Sequence, residues 1–338
     1  MRQNVLVVLA ISLFISIIVG GCSDMQTTAI TAASKYPEKP ITTIVPFSVG
    51  GGMDLTARSL EKVSFKYLGQ PLVIMNKPGG AGTLGWNELA GARPDGYTIG
   101  IVAVDILISS LLEASKYNYP TALEPLAQIS SPPMVLGIKA DQPWKTLADL
   151  IEYAKENPGQ LKSGNGGVGS IGHIVGELFG QSANIKIEQV PFAGGSELTA
   201  ALLGGHVQLI FLTPAALKEH VKNGAIKVLA VSGERRLTDP VFAAVPTFQE
   251  CGIDITITNW YGIAVPKEMP IKDKNKLAEG LKASINDPEF MKIMQNIGLP
   301  IEYLSPQESQ AKWFADSQKI KKALEVSGML EQIKAQRK

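Results

Sequence analysis

Three glycine-rich turns carry residue types and spacings that could do chemistry. The first, Phe47-Ser48-Val49-Gly50-Gly51-Gly52, follows the β-branched run ITTIVPF and precedes a helical pattern. At such a junction the first N–H groups of the helix lack intrahelical acceptors, and the helix dipole adds partial positive charge. Glycine lets the backbone close on an oxygen, so the turn suits an anion, or simply closes a tight bend. The second, Ser163-Gly164-Asn165-Gly166-Gly167-Val168-Gly169-Ser170, leads into IGHIVGELFGQSA. Its Gly164, Gly166 and Gly169 fit G-x-G-x-x-G. The preceding Gln160-Leu161-Lys162-Ser163 is short and polar, however, and Glu188 falls inside the strand-like IEQV, which disfavours a dinucleotide. The third, Asn76-Lys77-Pro78-Gly79-Gly80-Ala81-Gly82-Thr83, reads as a loop between strand and helix.

Catalytic groups are sparse. Ser170 and His173 share a helical face, but no G-x-S-x-G elbow surrounds Ser170 and no carboxylate partner for His173 stands out, so a secreted hydrolase is only a minor alternative. His173 reads as a hydrogen-bonding residue in the first turn of its helix; His206 and His220 read as surface or cap residues. Neither the three histidines nor the two cysteines, Cys22 and Cys251, form a close pair with metal-ligand spacing, and no phosphate-binding P-loop occurs. We therefore expect no metal, no cofactor and no enzymatic activity. Lys and Arg total 32 against 31 for Asp and Glu, a formal charge of +1, which argues against phosphate neutralisation and hence against nucleic acid.

These turns need rigid elements to hold them. PLVIMN, YTIGIVAV, VLGIKA, IEQVPF, VQLIFL and IKVLAVS read as short buried strands, mostly alternating with helical stretches such as TLADLIEYAKENPG, which predicts an α/β architecture with largely parallel sheets. The 338 residues suffice for two lobes. Pro133 to Ala140 and Thr256 to Pro266 read as crossings between them, making the first lobe discontinuous. Asp105, the one charge in IGIVAVDILISSLL, reads as a helix N-cap, with a cleft-facing carboxylate as the lesser alternative. Thr213 and Pro214 read as N-cap and first helical residue at a strand's carboxyl end, where open sheets bind ligands. At the N-terminus, Arg2 and the uncharged apolar stretch Val5 to Val19 form a secretory signal, a membrane anchor being the runner-up. Ser23 to Ser34 is small and polar, a flexible tether.

Val19-Gly20-Gly21-Cys22 resembles the lipobox of bacterial lipoproteins, in which the cysteine is lipidated. The body resembles the substrate-binding receptors of tripartite tricarboxylate transporters, also called Bug receptors. The likeness runs from Tyr36-Pro37 through Pro46 to Asp54 and Ala57-Arg58. It continues over Asn76-Lys77-Pro78-Gly79, Pro94-Asp95-Gly96-Tyr97, Asn157-Pro158-Gly159, Gly169-Ser170 with His173, Val190-Pro191-Phe192 and Trp260-Tyr261-Gly262. The resemblance implies a type II periplasmic-binding-protein-like fold, two α/β lobes joined by two crossing strands with a ligand cleft between them. Lobe 1 would be residues 36–137 plus 262–338 and lobe 2 residues 138–261, after a signal peptide (1–21) and tether (22–35). It further implies a carboxylate held by amides and waters from two facing turns: Phe47, Ser48, Val49, Gly50 and Gly51 with Asp54, and Asn165, Gly166, Gly167, Gly169 and Ser170 with His173. Asp54 would repel that carboxylate. It is read as a cap, with water ordering or pairing to an amino-acid ammonium as alternatives.

Where many relatives carry Pro-Tyr-Lys-Gly this chain has Pro191-Phe192-Ala193-Gly194, lacking a hydroxyl and a cation. That favours an aromatic or short aliphatic carboxylate at Phe192, Ala193 and Gly194, with Thr213 as a further contact. The expected protein is a monomeric, lipid-anchored, extracytoplasmic receptor that hands its ligand to integral membrane subunits. Sensing for a signalling partner is the alternative role.

Overall fold

The computed structural model describes residues 35–336; the signal, lipobox and tether readings lie outside the described residues. The first β-branched run forms β1 (Ile41–Val45), whose apolar residues are buried almost throughout. It turns through the glycines into α1 (Gly52–Leu68), which ends on left-handed Gly69, whose N–H reaches Phe65 O. There follow β2 (Leu72–Asn76), a 3₁₀ turn (Gly80–Gly82), α2 (Thr83–Ala90), β3 (Thr98–Ala103), α3 (Asp105–Leu111), the short α4 (Tyr119–Ala122) and β4 (Leu123–Ser130). The chain then leaves this sheet and builds a second one. Its elements are β5 (Val135–Lys139), α5 (Leu147–Glu156), β6 (Leu161–Asn165), α6 (Ile171–Ala183), β7 (Ile187–Pro191), α7 (Gly195–Leu203), β8 (Leu209–Leu212), α8 (Pro214–Lys222) and β9 (Ile226–Val231). It returns as β10 (Tyr261–Pro266) and finishes with α9 (Ile271–Ile285), α10 (Pro288–Ile297), β11 (Ile301–Leu304), α11 (Pro306–Val326) and α12 (Met329–Gln336).

The first sheet has the order β11-β4-β10-β3-β1-β2 and the second β7-β6-β8-β5-β9. Each of the six apolar runs falls in a strand, but the expectation of largely parallel sheets needs correction. β1 pairs parallel with β2 and β3, and β6 with β7 and β8. β10 runs antiparallel between β3 and β4, β5 antiparallel between β8 and β9, and β11 antiparallel to β4. The cause is topological. β5 opens the second sheet and β10 re-enters the first, and each ends up between two strands that run against it, β5 between β8 and β9 and β10 between β3 and β4.

The crossings themselves lie side by side. Pro133 bridges Thr258, Asn259 N–H donates to Pro132 O at 2.8 Å, and Ile257 N–H donates to Ser232 O at 2.8 Å. The wholly buried Ser232 hydroxyl accepts from Met134 N–H and donates to Ile257 O, tying both strands at one point. Trp260, also buried, stacks on Trp313 with centroids 5.9 Å apart and donates Nε1–H to Asp316, so α11 backs the second crossing.

Lobe 1 is braced away from the turns by Asp287, the N-cap of α10. Its Oδ2 accepts from Tyr67 Oη at 2.6 Å and from Lys66 Nζ at 3.0 Å, both on α1, and its Oδ1 accepts from Glu289 N–H. Those bonds, Tyr67's first, hold the carboxyl at about 2 instead of its ordinary 3.8. A depressed carboxyl pKa stabilises the folded state above the unfolded value and ceases to do so as pH falls through the folded one. Acid titration of wild type should therefore show a loss of stability between pH 4 and pH 2 that Asp287→Asn lacks. Chemical denaturation at pH 7, 4 and 2 checks this, with the gap between the two proteins closing toward pH 2; a gap of constant size would contradict it.

Candidate functional site

The starts of α1 and α6 come from different sheets and meet across a cavity of about 70 Å³. Phe47, Gly51, Gly52 and Met53 line it from the first turn, Gly166, Ser170, Ile171 and Gly172 from the second, and Gly195 and Phe211 from the rest of lobe 2. Asp105, Asn259 and Tyr261 close its base. The approach of the lobes is tight enough to need glycine. A Cβ on Gly194 would stand 2.7 Å from Ser48 N, one on Gly195 3.0 Å from Gly51 Cα, and one on Gly167 2.9 Å from Ala81 N. Beside the cavity, two hydrogen bonds run from one lobe to the other. Ser48 Oγ donates to Glu197 Oε1 at 2.9 Å, and Ile171 N–H donates to Asp105 Oδ1 at 2.8 Å.

The first turn keeps donors at the cavity. Gly50, at φ +83°, gives its N–H to Asp54 Oδ2. The amides of Gly51, Gly52 and Met53 open the helix, where no intrahelical acceptor exists. Asp54 is consumed within its own lobe, accepting also from Arg58 Nε and Asn76 Nδ2. Asn76 donates its other amide hydrogen to Phe47 O, so the third turn's first residue fixes the first turn. The cap-like reading of Asp54 describes its geometry, since its carboxylate orders the turn and does not line the cavity.

The second turn spends most of its donors on itself. Gly167 N–H goes to Asn165 Oδ1, Gly169 N–H to His173 Nδ1, Ser170 N–H to Gly167 O and His173 N–H to Ser170 Oγ. Ser170 is thus a helix N-cap. His173 accepts through Nδ1 and lies 3.6 Å from Glu177 through Nε2, on the face of α6 that borders a separate groove. Phe192 and Ala193 line neither of these spaces but an opening of about 500 Å³ beside them, together with Gly79 to Ala81, Gly167 and Val168. Val49 is exposed at the rim. Thr213 does precede Pro214 at the helix start, but its side chain makes no cap bond and its Oγ1 sits against Tyr261.

Asp105 corrects its expected role. Val104, not Asp105, holds the N-cap position of α3, and the carboxylate reaches across to α6. It is 1 % exposed, and its Oδ2 has no hydrogen-bond partner. Burial pushes its pKa up to about 6, against the pull of the Ile171 N–H. Burial likewise raises that of Tyr261, with the Asp105 charge adding to it and Thr213 and Asn259 opposing. Sequence reasoning missed Glu197, Phe211, Asn259 and Tyr261. Asp105 and the TNWYG segment gave the only signal, a lone charge in an apolar run and polar groups in a crossing strand.

Two α/β lobes joined by two adjacent crossing strands, with helix starts facing over a small cavity, define a solute-binding protein of the type II periplasmic-binding-protein fold. The chain belongs to the family described as "Tripartite tricarboxylate transporter family receptor", which matches residues 56–328. It is 32% identical over 294 residues to the "UPF0065 protein in gbd 5'region" of Cupriavidus necator, covering 86% of this chain and 88% of that one. Among solved structures it is similar to the periplasmic binding protein BugD, at 28% identity with a TM-score of 0.83, covering 87% of this chain and 99% of that chain. It is also similar to an R. palustris protein solved with adipate, at 28% identity with a TM-score of 0.80 and coverage of 87% and 98%. This is a family of binding proteins, not enzymes.

Proposed function

We propose that the protein captures a small organic carboxylate between its lobes outside the cytoplasm, and presents it to the integral membrane subunits of a tripartite tricarboxylate transporter. The observation that carries this reading is the pair of helix starts, at Gly52 and Ile171, aimed from opposite lobes at one small cavity. Outward N–H groups and two dipole ends favour an anion there. The adipate in the R. palustris relative agrees with the class. On this reading Phe47, Gly51, Gly166 and Ser170 form the immediate walls, Ser48 ties the first turn to Glu197, and Asn165, Gly167, Gly169 and His173 hold the second turn in shape. The acid engages lobe 2 only when the cleft is shut, so binding favours the closed state. A cysteine at position 22 carrying acyl chains would keep the exported protein at the membrane surface, close to those subunits.

A thermal-shift screen across mono-, di- and tricarboxylates, aromatic acids and amino acids tests the reading. An acid present at 100 times its Kd adds about 2.7 kcal/mol of stability, a shift of several degrees for a domain of this size. Small-angle scattering with that acid should give a smaller radius of gyration. A screen in which no carboxylate raises the unfolding temperature would overturn the proposal.

A further inference from the structure

The cavity contains more than an anion site requires. Two polar oxygens in its base are buried and without a hydrogen-bond partner: Asp105 Oδ2, on a residue 1 % exposed, and Asn259 Oδ1, on a residue 3 % exposed. They belong to residues from separate elements, α3 and the second crossing strand, that line the same space of about 70 Å³. Both are acceptors. An unpaired buried acceptor costs on the order of 1–3 kcal/mol, and more when charged, so a bound solute that fits the cavity should supply donors to them. Its other walls include the start of α1, where the amides of Gly51, Gly52 and Met53 have no intrahelical acceptor. The cavity therefore has a donor side and an acceptor side.

We propose that the ligand is an α-amino acid, its carboxylate on the amides of the first turn and its ammonium on Asp105 Oδ2 and Asn259 Oδ1. This rests on the carboxylate-receptor reading and deepens it. A plain carboxylic acid would place a second negative charge in a small buried cavity beside Asp105, where like charges repel and no Lys, Arg or His lines the wall to offset them. A 2-hydroxy acid would offer a single O–H to two acceptors and leave the charges uncompensated. An ammonium has three donors and a charge that cancels the carboxylate of Asp105. The Ile171 N–H on Oδ1 holds that carboxylate at the cavity base and leaves Oδ2 free to accept. Closing the lobes therefore completes the ammonium site. The small volume calls for a short side chain.

Isothermal titration calorimetry on the purified protein with two matched series, L-alanine, L-lactate and propionate, then L-aspartate, L-malate and succinate, tests this. In at least one series the amino member should bind tenfold or more tighter than both analogues. Asp105→Asn keeps an oxygen for the Ile171 N–H and should erase that preference, the amino member losing its tenfold advantage over the plain acid. Asn259→Leu, which changes no charge, should lower amino-acid affinity several-fold and serves if Asp105→Asn does not fold. Near pH 6, amino-acid binding should release a proton as the ammonium draws Asp105 into its charged form; Tyr261, the other ionisable group lining the cavity, stays neutral there, and Glu197 at the rim is engaged by Ser48 and Ser196. Succinate or propionate binding wild type as tightly as its amino counterpart would overturn this proposal and leave the receptor reading standing. Failure of all six acids would overturn it too, and only if the wider screen were also blank would the receptor reading fall with it.

Discussion

Gly194→Ala should cut affinity for the best-binding acid about 100-fold, close to 2.7 kcal/mol, while both lobes stay folded. The reasoning is steric and confined to the closed state. Gly194 precedes α7 in lobe 2 with φ 169°, extended backbone that alanine adopts without strain. Its added Cβ would sit 2.7 Å from Ser48 N, 2.9 Å from Ser48 Cβ and 3.0 Å from Ser48 Oγ. Ser48 belongs to the first turn of lobe 1 and is itself buried, so it cannot swing aside as an exposed side chain would. The clash vanishes when the lobes part. Alanine at an N-cap costs no more than about 1 kcal/mol relative to glycine, so the unliganded melting temperature should fall only slightly. Calorimetry gives the affinity, and scattering at saturating acid should show that the variant keeps the larger, unliganded radius. Unchanged affinity together with a normal contraction would mean that the turns need not approach this closely.

The same geometry explains what the sequence disclosed and what it hid. The strand, turn and helix around Phe47 to Gly52 were legible because a β-branched run, three glycines and a helical period each point to the same local structure. β6 was not, because it reads LKSGN. A side chain at Gly164 would meet Leu198 Cδ2 at 2.8 Å, and the polar Asn165 is buried to hold Gly167 N–H and to donate to Gln189. Apolar periodicity has nothing to register in such a strand. Strand direction was hidden for another reason: β5 and β10 look like any buried strand, and only their order after the crossings makes them antiparallel. Asp105 misled because its neighbours offer a complete local account, a polar residue between strand and helix. Its actual partner, Ile171, lies 66 residues along the chain on the other lobe. Contacts made only on closure leave no local pattern.

Trp86→Ala should be the most destabilising single change near the cleft, at about 3–5 kcal/mol, and should weaken ligand binding as well. Trp86, on α2, is fully buried, and its Nε1–H donates to Ile101 O at 3.0 Å in the middle of β3. Its ring meets Tyr119 edge-on at 5.8 Å and Phe47 at 6.0 Å with the planes 80° apart. Gly82, at φ +88°, lies so close that a Cβ there would be 2.6 Å from the indole. The third turn is thus shaped around this ring and helps brace the first turn. Alanine leaves a void of indole size behind Phe47, the aromatic wall of the cavity, and strands the Ile101 carbonyl. Phe47 can then relax backward, loosening the amides that follow it, so affinity should drop about tenfold, 1.4 kcal/mol, in the molecules that remain folded. Trp86→Phe fills most of the space and keeps the edge-on contact, so it should lose less on both counts. Urea unfolding and calorimetry at a temperature where each variant is folded separate the two effects. If Trp86→Ala lost stability but bound the acid with wild-type affinity, Phe47 would hold its position without the indole, and the cavity wall would be set by the turn's own hydrogen bonds from Asn76 and Asp54.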